Sequence, residues 1–239
     1  MSVTLTIDPG QAGGIAVNVF GVVDCRAMPA TGGDLLQLLR CIRDAAAKSG
    51  VVPVAYLEQV GGFVGKPQPG STMFKFGQHY GFILGLLQAL GIPVALVRPQ
   101  VWQKVFGLGT AANCASKVEW KNKLKAEAQR RFPQLPVTLA TADALLILAW
   151  SLRTATTAGH GADAQSANLN PATLPVQGGA GASPTGTVME LQGAEAAAFL
   201  ARIFPKRSPK TISSPHGAGS DQRTEQTKQT EQHHENKNQ

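Results

Sequence analysis

Cysteine is scarce in this chain of 239 residues, and what there is cannot do much chemistry. Cys25, Cys41 and Cys114 are odd in number, far apart and free of any CxxC pairing, so neither a disulfide framework nor a zinc site is expected. No stretch is long and apolar enough to span a membrane. The opening MSVTLTIDPG lacks a basic region followed by an apolar run, so no secretory leader is expected either. These absences point to a reduced, cytoplasmic protein that does not enter the bilayer. Acidic residues are also in short supply, with 15 Asp and Glu against 22 Lys and Arg. The imbalance sits in residues 1–153, which hold 15 basic against 8 acidic side chains, while the remainder holds 7 of each. A basic folded region reads as a partner for polyanions, nucleic acid being the commonest; a merely solubilising surface is the alternative.

What the sequence does contain is a regular succession of apolar segments. VTLTID is rich in β-branched residues and stops at Pro9-Gly10, as a strand entering a turn does. A second strand follows Gly13-Gly14, and a third is expected around Val23–Met28. Leu35, Leu38, Leu39 and Ile42 recur at helical spacing in a segment that Asp34 is placed to cap and Gly50 to end. VVPVAYLE is nearly all apolar, the pattern of a strand buried on both faces. A Gly/Pro-rich loop leads from it to a helix over Thr72–Leu90, then a short strand over Ile92–Val97. A basic amphipathic helix over Ser116–Phe132 and a final apolar helix beginning near Thr141, the residue placed to cap it, complete the set. Strands in a meander followed by strands alternating with helices imply an α/β protein. The order fits an RNase H-like mixed five-stranded sheet flanked by helices.

The composition divides the chain at about residue 155. Residues 1–155 carry the apolar periodicity of one domain, large enough to bury a core. Residues 156–239 are rich in Ala, Gly, Ser, Thr and Pro, then strongly polar, and read as a disordered C-terminal tail. Within that tail MELQGAEAAAFLARIF, near 189–204, is an apolar island able to form a short helix that docks on the core or on a partner, a weak and transient helix being the plainer reading.

Three carboxylates occupy positions where such a fold brings distant segments together: Asp8 ends the first strand, Glu58 ends the buried strand, and Asp143 opens the last helix. A charge that finishes a buried apolar strand is costly unless it is paired or binds metal. Converging carboxylates repel one another, and an oxygen-only ligand set favours Mg²⁺ or Mn²⁺ over zinc. Taken singly, Asp8 could be a turn residue before Pro-Gly and Asp143 a charge favoured by a helix N-terminus.

The segment IDPGQAGGIAV resembles the opening motif of RuvC-type Holliday junction resolvases, and YLEQV resembles that family's second motif. IPVALVRPQVWQKVFGLG followed by Ser116-Lys117 is similar to its stretch of strand, Pro, Lys, Gly-x-Gly and second Lys. ADALLILAW resembles its closing helix, and the wording FGQHYG…GLLQALGIPV looks most like phage or prophage members. The similarity runs in the family's order from about residue 3 to 153. It implies a crossover junction endodeoxyribonuclease, active with Mg²⁺ and with Mn²⁺ as a substitute, working as a homodimer on branched, four-way DNA and leaving 5′-phosphate ends. It also implies Asp8, Glu58 and Asp143 as catalytic metal ligands, with Lys104 and Lys117 near the scissile phosphate, where an ammonium group can stabilise developing charge. One departure stands out: the family's further acid, three or four residues before the last aspartate, is replaced here by Leu139 and Ala140. Glu119 or Glu127 could be borrowed in its place.

Lys121 and Lys125 share a helix face by four-residue spacing and, with Lys104 and Lys117, form a candidate stripe for tracking phosphates; a solvated face is the plainer alternative. In the Gly/Pro loop, Phe63 is a candidate wedge against an unstacked base and Lys66 a candidate phosphate contact. Phe74 is a second candidate wedge, with a core position on an amphipathic helix the plainer alternative. Trp102 reads as a core residue and His79 as a structural histidine, while Gly77, Gly81 and Gly85 form a stripe suited to close packing within the chain or across a dimer seam. Two other readings remain open: a junction-binding protein of this fold without catalysis, and a nuclease for other branched DNA. A kinase-like ATP-binding relative fits worst, because a phosphate-binding glycine run is missing where it would be needed.

Overall fold

The computed structural model describes residues 2–61, 69–158, 168–169, 194–201 and 204. These belong to one compact unit within residues 1–206. Strands β1 (Val3–Asp8), β2 (Gly14–Val19) and β3 (Val22–Ala27) form an antiparallel meander; helix α1 (Gly32–Lys48) leads to β4 (Val54–Glu58), and α2 (Gly70–Ala89) leads to β5 (Val94–Val97). Helices α3 (Pro99–Lys104), α4 (Lys117–Arg131) and α5 (Ala142–Ala158) follow, with a 3-10 turn at Ala111–Asn113 and a two-residue strand β6 at Asn168–Leu169.

The sheet order is β3-β2-β1-β4-β5-β6. β1 runs parallel to β4, and β4 parallel to β5, while β6 closes the edge antiparallel to β5. This is the expected mixed RNase H-like sheet of five strands, with β6 added from the segment beyond residue 155. β1 and β4 are parallel and in register through Ile7 and Leu57, so the residues after these, Asp8 and Glu58, emerge side by side at one end of adjacent strands. Two consecutive accidents of sequence thereby become one place in space.

Period-two alternation sorts each strand onto two faces. Val3, Leu5 and Ile7 of β1 join Ile15, Val17, Ala55 and Leu57 in an aliphatic core under α1 and α2. Ala196, Leu200 and Phe204 belong to the same core; residues 194–201 are helical, and the Arg26 guanidinium lies 5.5 Å from the centre of the Phe204 ring. Of the apolar island, Ala196, Leu200 and Phe204 thus pack on the core. The opposite face packs Ala16, Val97, Trp102, Trp120 and Leu124 against Leu145, Leu148 and Trp150 of α5.

Local signals differ from expectation in three places. Thr31, not Asp34, caps α1: the Asp34 N–H donates to Thr31 Oγ1 at 3.1 Å, and the Thr31 hydroxyl donates to the Asp34 carboxylate at 2.7 Å. Thr141 precedes α5, but its hydroxyl accepts from the Thr138 N–H at 2.9 Å, fastening the preceding loop instead of the helix. Phe74 is 67% exposed, so it faces solvent on α2 and is not core. Among the described residues no helix is long and apolar enough to cross a membrane.

Candidate active site

The polar face of β1 aims at the first turn of α5. Thr6 is fully buried and its hydroxyl donates to the Ala144 carbonyl at 2.7 Å, which pins the start of α5 across the strand. A glycine permits that approach, since a Cβ at Gly14 would lie 2.3 Å from the Ala140 carbonyl oxygen; within the hairpin a Cβ at Gly13 would lie 2.2 Å from that of Asp8. The pinned helix brings Asp143 to the end of β1. Asp8 is 9% exposed and Asp143 4%, with Glu58 half-buried beside them.

Burial, and then the charges of Glu58 and Asp143, push the Asp8 carboxyl well above its ordinary range. Burial and the Asp143 charge likewise raise Glu58 to about 7. The two carboxyls interact directly, and both are raised. Glu58 gains a second partner from the core, since Trp102 is fully buried and its indole Nε1–H donates to Glu58 Oε1 at 3.1 Å. Trp102 was expected only to pack; a buried indole N–H needs an acceptor, but nothing in sequence spacing says which one.

Lys121 from α4 reaches the same place. Its Nζ lies 2.5 Å from Asp143 Oδ2, and its charge acts on all three carboxylates. Burial opposes the ammonium form of Lys121, but Asp143, Asp8 and Glu58 together hold its pKa above the ordinary lysine value. The other Asp143 oxygen, Oδ1, is buried without a partner among the described residues. Sequence spacing put Lys121 on a phosphate-tracking face with Lys125; the structure gives it a carboxylate partner, with Lys125 one turn further along and half-buried. Lys104 and Lys117 are exposed, at the end of α3 and the start of α4, and neither forms an ion pair among the described residues. Phe63 and Lys66 lie outside the described residues.

Among the described residues neither Glu119 nor Glu127 replaces the acid missing at Ala140. Ser116 caps α4, and Glu119 in its first turn accepts from the Ala115 N–H at 2.8 Å and pairs with Lys123 at 3.3 Å, while Glu127 is held by Arg130 and Arg131 at 2.8 and 2.6 Å. Both are therefore committed elsewhere. His79, read as structural, accepts from the Gly10 N–H at 3.2 Å and so steadies the turn that follows Asp8; burial lowers its pKa, consistent with an acceptor nitrogen.

Among the described residues no three His, Cys, Asp or Glu side chains stand close enough to form a ready coordination shell. In kind, however, the group fits a hard divalent cation. Its donors are all carboxylate oxygens, one of them buried and unpartnered, and two of its acids are strained toward protonation by a repulsion that a cation would relieve.

Neither a protein-family model nor a curated protein matches this chain. Among solved structures, it is similar to Thermus thermophilus RuvC at 19% identity, over 64% of this chain and 97% of that one, with a TM-score of 0.40. It is also similar to T. thermophilus RuvC in complex with Holliday junction substrate at 17% identity, over 65% and 98% of the two chains, with a TM-score of 0.41.

Proposed function

We propose that this chain is a divalent-metal-dependent endodeoxyribonuclease that resolves four-way DNA junctions by nicking paired strands. The observation that carries the reading is the meeting of Asp8, Glu58 and Asp143 from three separate segments at one end of an RNase H-like sheet. The ordered motifs from IDPG to ADALL support it. Asp8, Glu58 and Asp143 would hold the cation, Mg²⁺ with Mn²⁺ as a substitute. When bound, it supplies Lewis-acid stabilisation of charge developing on the phosphate.

The chain's own residues do the rest. Trp102 fixes the orientation of Glu58, and Thr6 fixes the helix that carries Asp143. Asp8 and Glu58, whose carboxyls burial and mutual repulsion raise above their ordinary range, can exchange a proton with water at the reacting phosphate. Hydrolysis adds that water to phosphorus and breaks the P–O3′ bond, leaving a 5′-phosphate and a 3′-hydroxyl. Lys104, Lys117 and Lys125, with Phe63 and Lys66 of the Gly/Pro-rich sequence after Glu58, form the proposed DNA-binding surface. Two copies would act together, one strand each. Gly77, Gly81 and Gly85 are open on their outer side, where an added Cβ would meet nothing within 4 Å. That open stripe on α2 is the proposed dimer seam.

A second reading has a specific observation behind it: with Ala140 in place of an acid and Lys121 on Asp143, the protein would bind junctions without cutting them. A labelled synthetic four-way junction, with linear duplex as control, separates the two in Mg²⁺ and in Mn²⁺. Symmetric nicking of the junction, reduced at least about a thousandfold by Asp8→Asn, is the expected result. Tight binding without nicking in either metal establishes the second reading.

A further inference from the structure

We infer that Lys121 serves as a built-in counter-cation of the carboxylate group, so that the chain takes one divalent ion where a fourth acid would have allowed two. The inference rests on the metal-site reading above and makes it more specific.

Charge and geometry carry it. Asp8, Glu58 and Asp143 act on one another's charge near the end of β1 and β4, and the position that could have supplied a fourth acid holds Ala140, whose carbonyl packs against Gly14. The two acids on α4 are drawn away, Glu119 to the helix N-terminus and Glu127 to two arginines. What α4 delivers to the group is a cation: Lys121 lies on the turn above Leu124, which is fully buried against α5, so its stem is anchored and its Nζ is 2.5 Å from Asp143 Oδ2. An ammonium placed there lowers the group's net charge from −3 to −2 when all acids are ionised, which is the charge one divalent ion neutralises. Lys121 blocks only one oxygen of Asp143. Oδ1 remains buried and unpartnered among the described residues.

A lysine that merely tracks DNA phosphates would stay exposed, as Lys117 does at the start of α4; Lys121 is instead about two-thirds covered, against an aspartate that is almost fully covered. Coulomb attraction between a full pair at such a distance is worth far more here than at the exposed surface, where Lys123 and Glu119 meet.

The test is a Mn²⁺ titration of the full-length chain, with free Mn²⁺ read by electron paramagnetic resonance. Wild type, Lys121→Gln, Lys121→Arg and Asp8→Asn are compared near pH 8. The expected result is one Mn²⁺ per chain for wild type and for Lys121→Arg. Lys121→Gln should bind its first ion about tenfold more tightly or take a second one. In the same samples without metal, Lys121→Gln should melt below wild type, and Mn²⁺ should restore the loss. Two Mn²⁺ per wild-type chain, or a Lys121→Gln protein that binds and melts as wild type does, would overturn the inference and leave the metal site standing. Failure of wild type to bind Mn²⁺ any better than Asp8→Asn would overturn the metal site together with the inference. If Lys121→Gln does not fold even with Mn²⁺ present, the wild-type count decides between one ion and two.

Discussion

The two faces of β1 are buried alike and are built for opposite ends. On one face Val3, Leu5 and Ile7 enter an aliphatic core; on the other Thr4, Thr6 and Asp8 are nearly as well covered, yet every side chain is polar. The first face gains free energy from each methylene removed from water. The second holds Thr6 satisfied by Ala144 and Asp8 crowded by two other acids, an arrangement that spends stability to fix geometry. The comparison teaches that equal burial can mean unequal purpose, and that chemistry distinguishes the two.

Substitutions on adjacent residues should break the symmetry most visibly. Ile7→Ala should destabilise the fold by about 3–4 kcal/mol through the cavity it leaves. Asp8→Asn, one residue on, should raise the melting temperature of the metal-free protein above pH 7, because it removes one of three repelling charges. Paired thermal melts in EDTA check both signs. A loss of stability in Asp8→Asn comparable to that of Ile7→Ala would mean the polar face is as stabilising as the apolar one.

The pH dependence of the metal-free protein sharpens the same contrast. Glu58 moves from an ordinary 4.5 to about 7 on folding, and Asp8 also moves upward. Folded groups with raised acid pKa values contribute stability that is complete below the unfolded pKa and lost as pH rises through the folded one. Metal-free stability should therefore fall between about pH 4.5 and 7, by on the order of 3 kcal/mol from Glu58. Denaturant unfolding in EDTA at pH 5 and pH 8 measures it, and a stability that climbs across this window would contradict the assigned repulsion.

The smallest effect belongs to Trp102→Phe, which keeps the packing and removes one hydrogen bond to Glu58. A stability change near 1 kcal/mol is expected, with a shift in the pH profile of nicking as Glu58 loses a donor to its ionised form. A stability change without any shift in the profile would reduce Trp102 to a packing residue.

The main lines of the sheet were legible because strands and helices advertise themselves by period, and because IDPG and YLE each end an apolar strand on an acid. The pairing of those two acids was also foreseeable, since parallel neighbouring strands end at the same edge. Less legible were the contacts made by single atoms. The indole N–H of Trp102, the Thr6 hydroxyl and the detour of Thr141 toward Thr138 leave no trace in hydrophobic spacing. Phe74, read as core on a helix of mixed pattern, instead lies on the outer side of α2.

By itself the sequence determined the α/β class, the strand ends that carry Asp8 and Glu58, and the helix that opens with Asp143, because each follows from local periodicity and from the cost of burying a lone charge. Only the tertiary structure decided which lysine reaches those acids and which acids stay away. Lys121 arrives because Leu124 and Trp120 seat α4 against α5, and Glu119 and Glu127 are absent because a helix N-terminus and two arginines hold them. Such choices depend on how one helix sits on another, a long-range packing outcome that local sequence spacing does not encode.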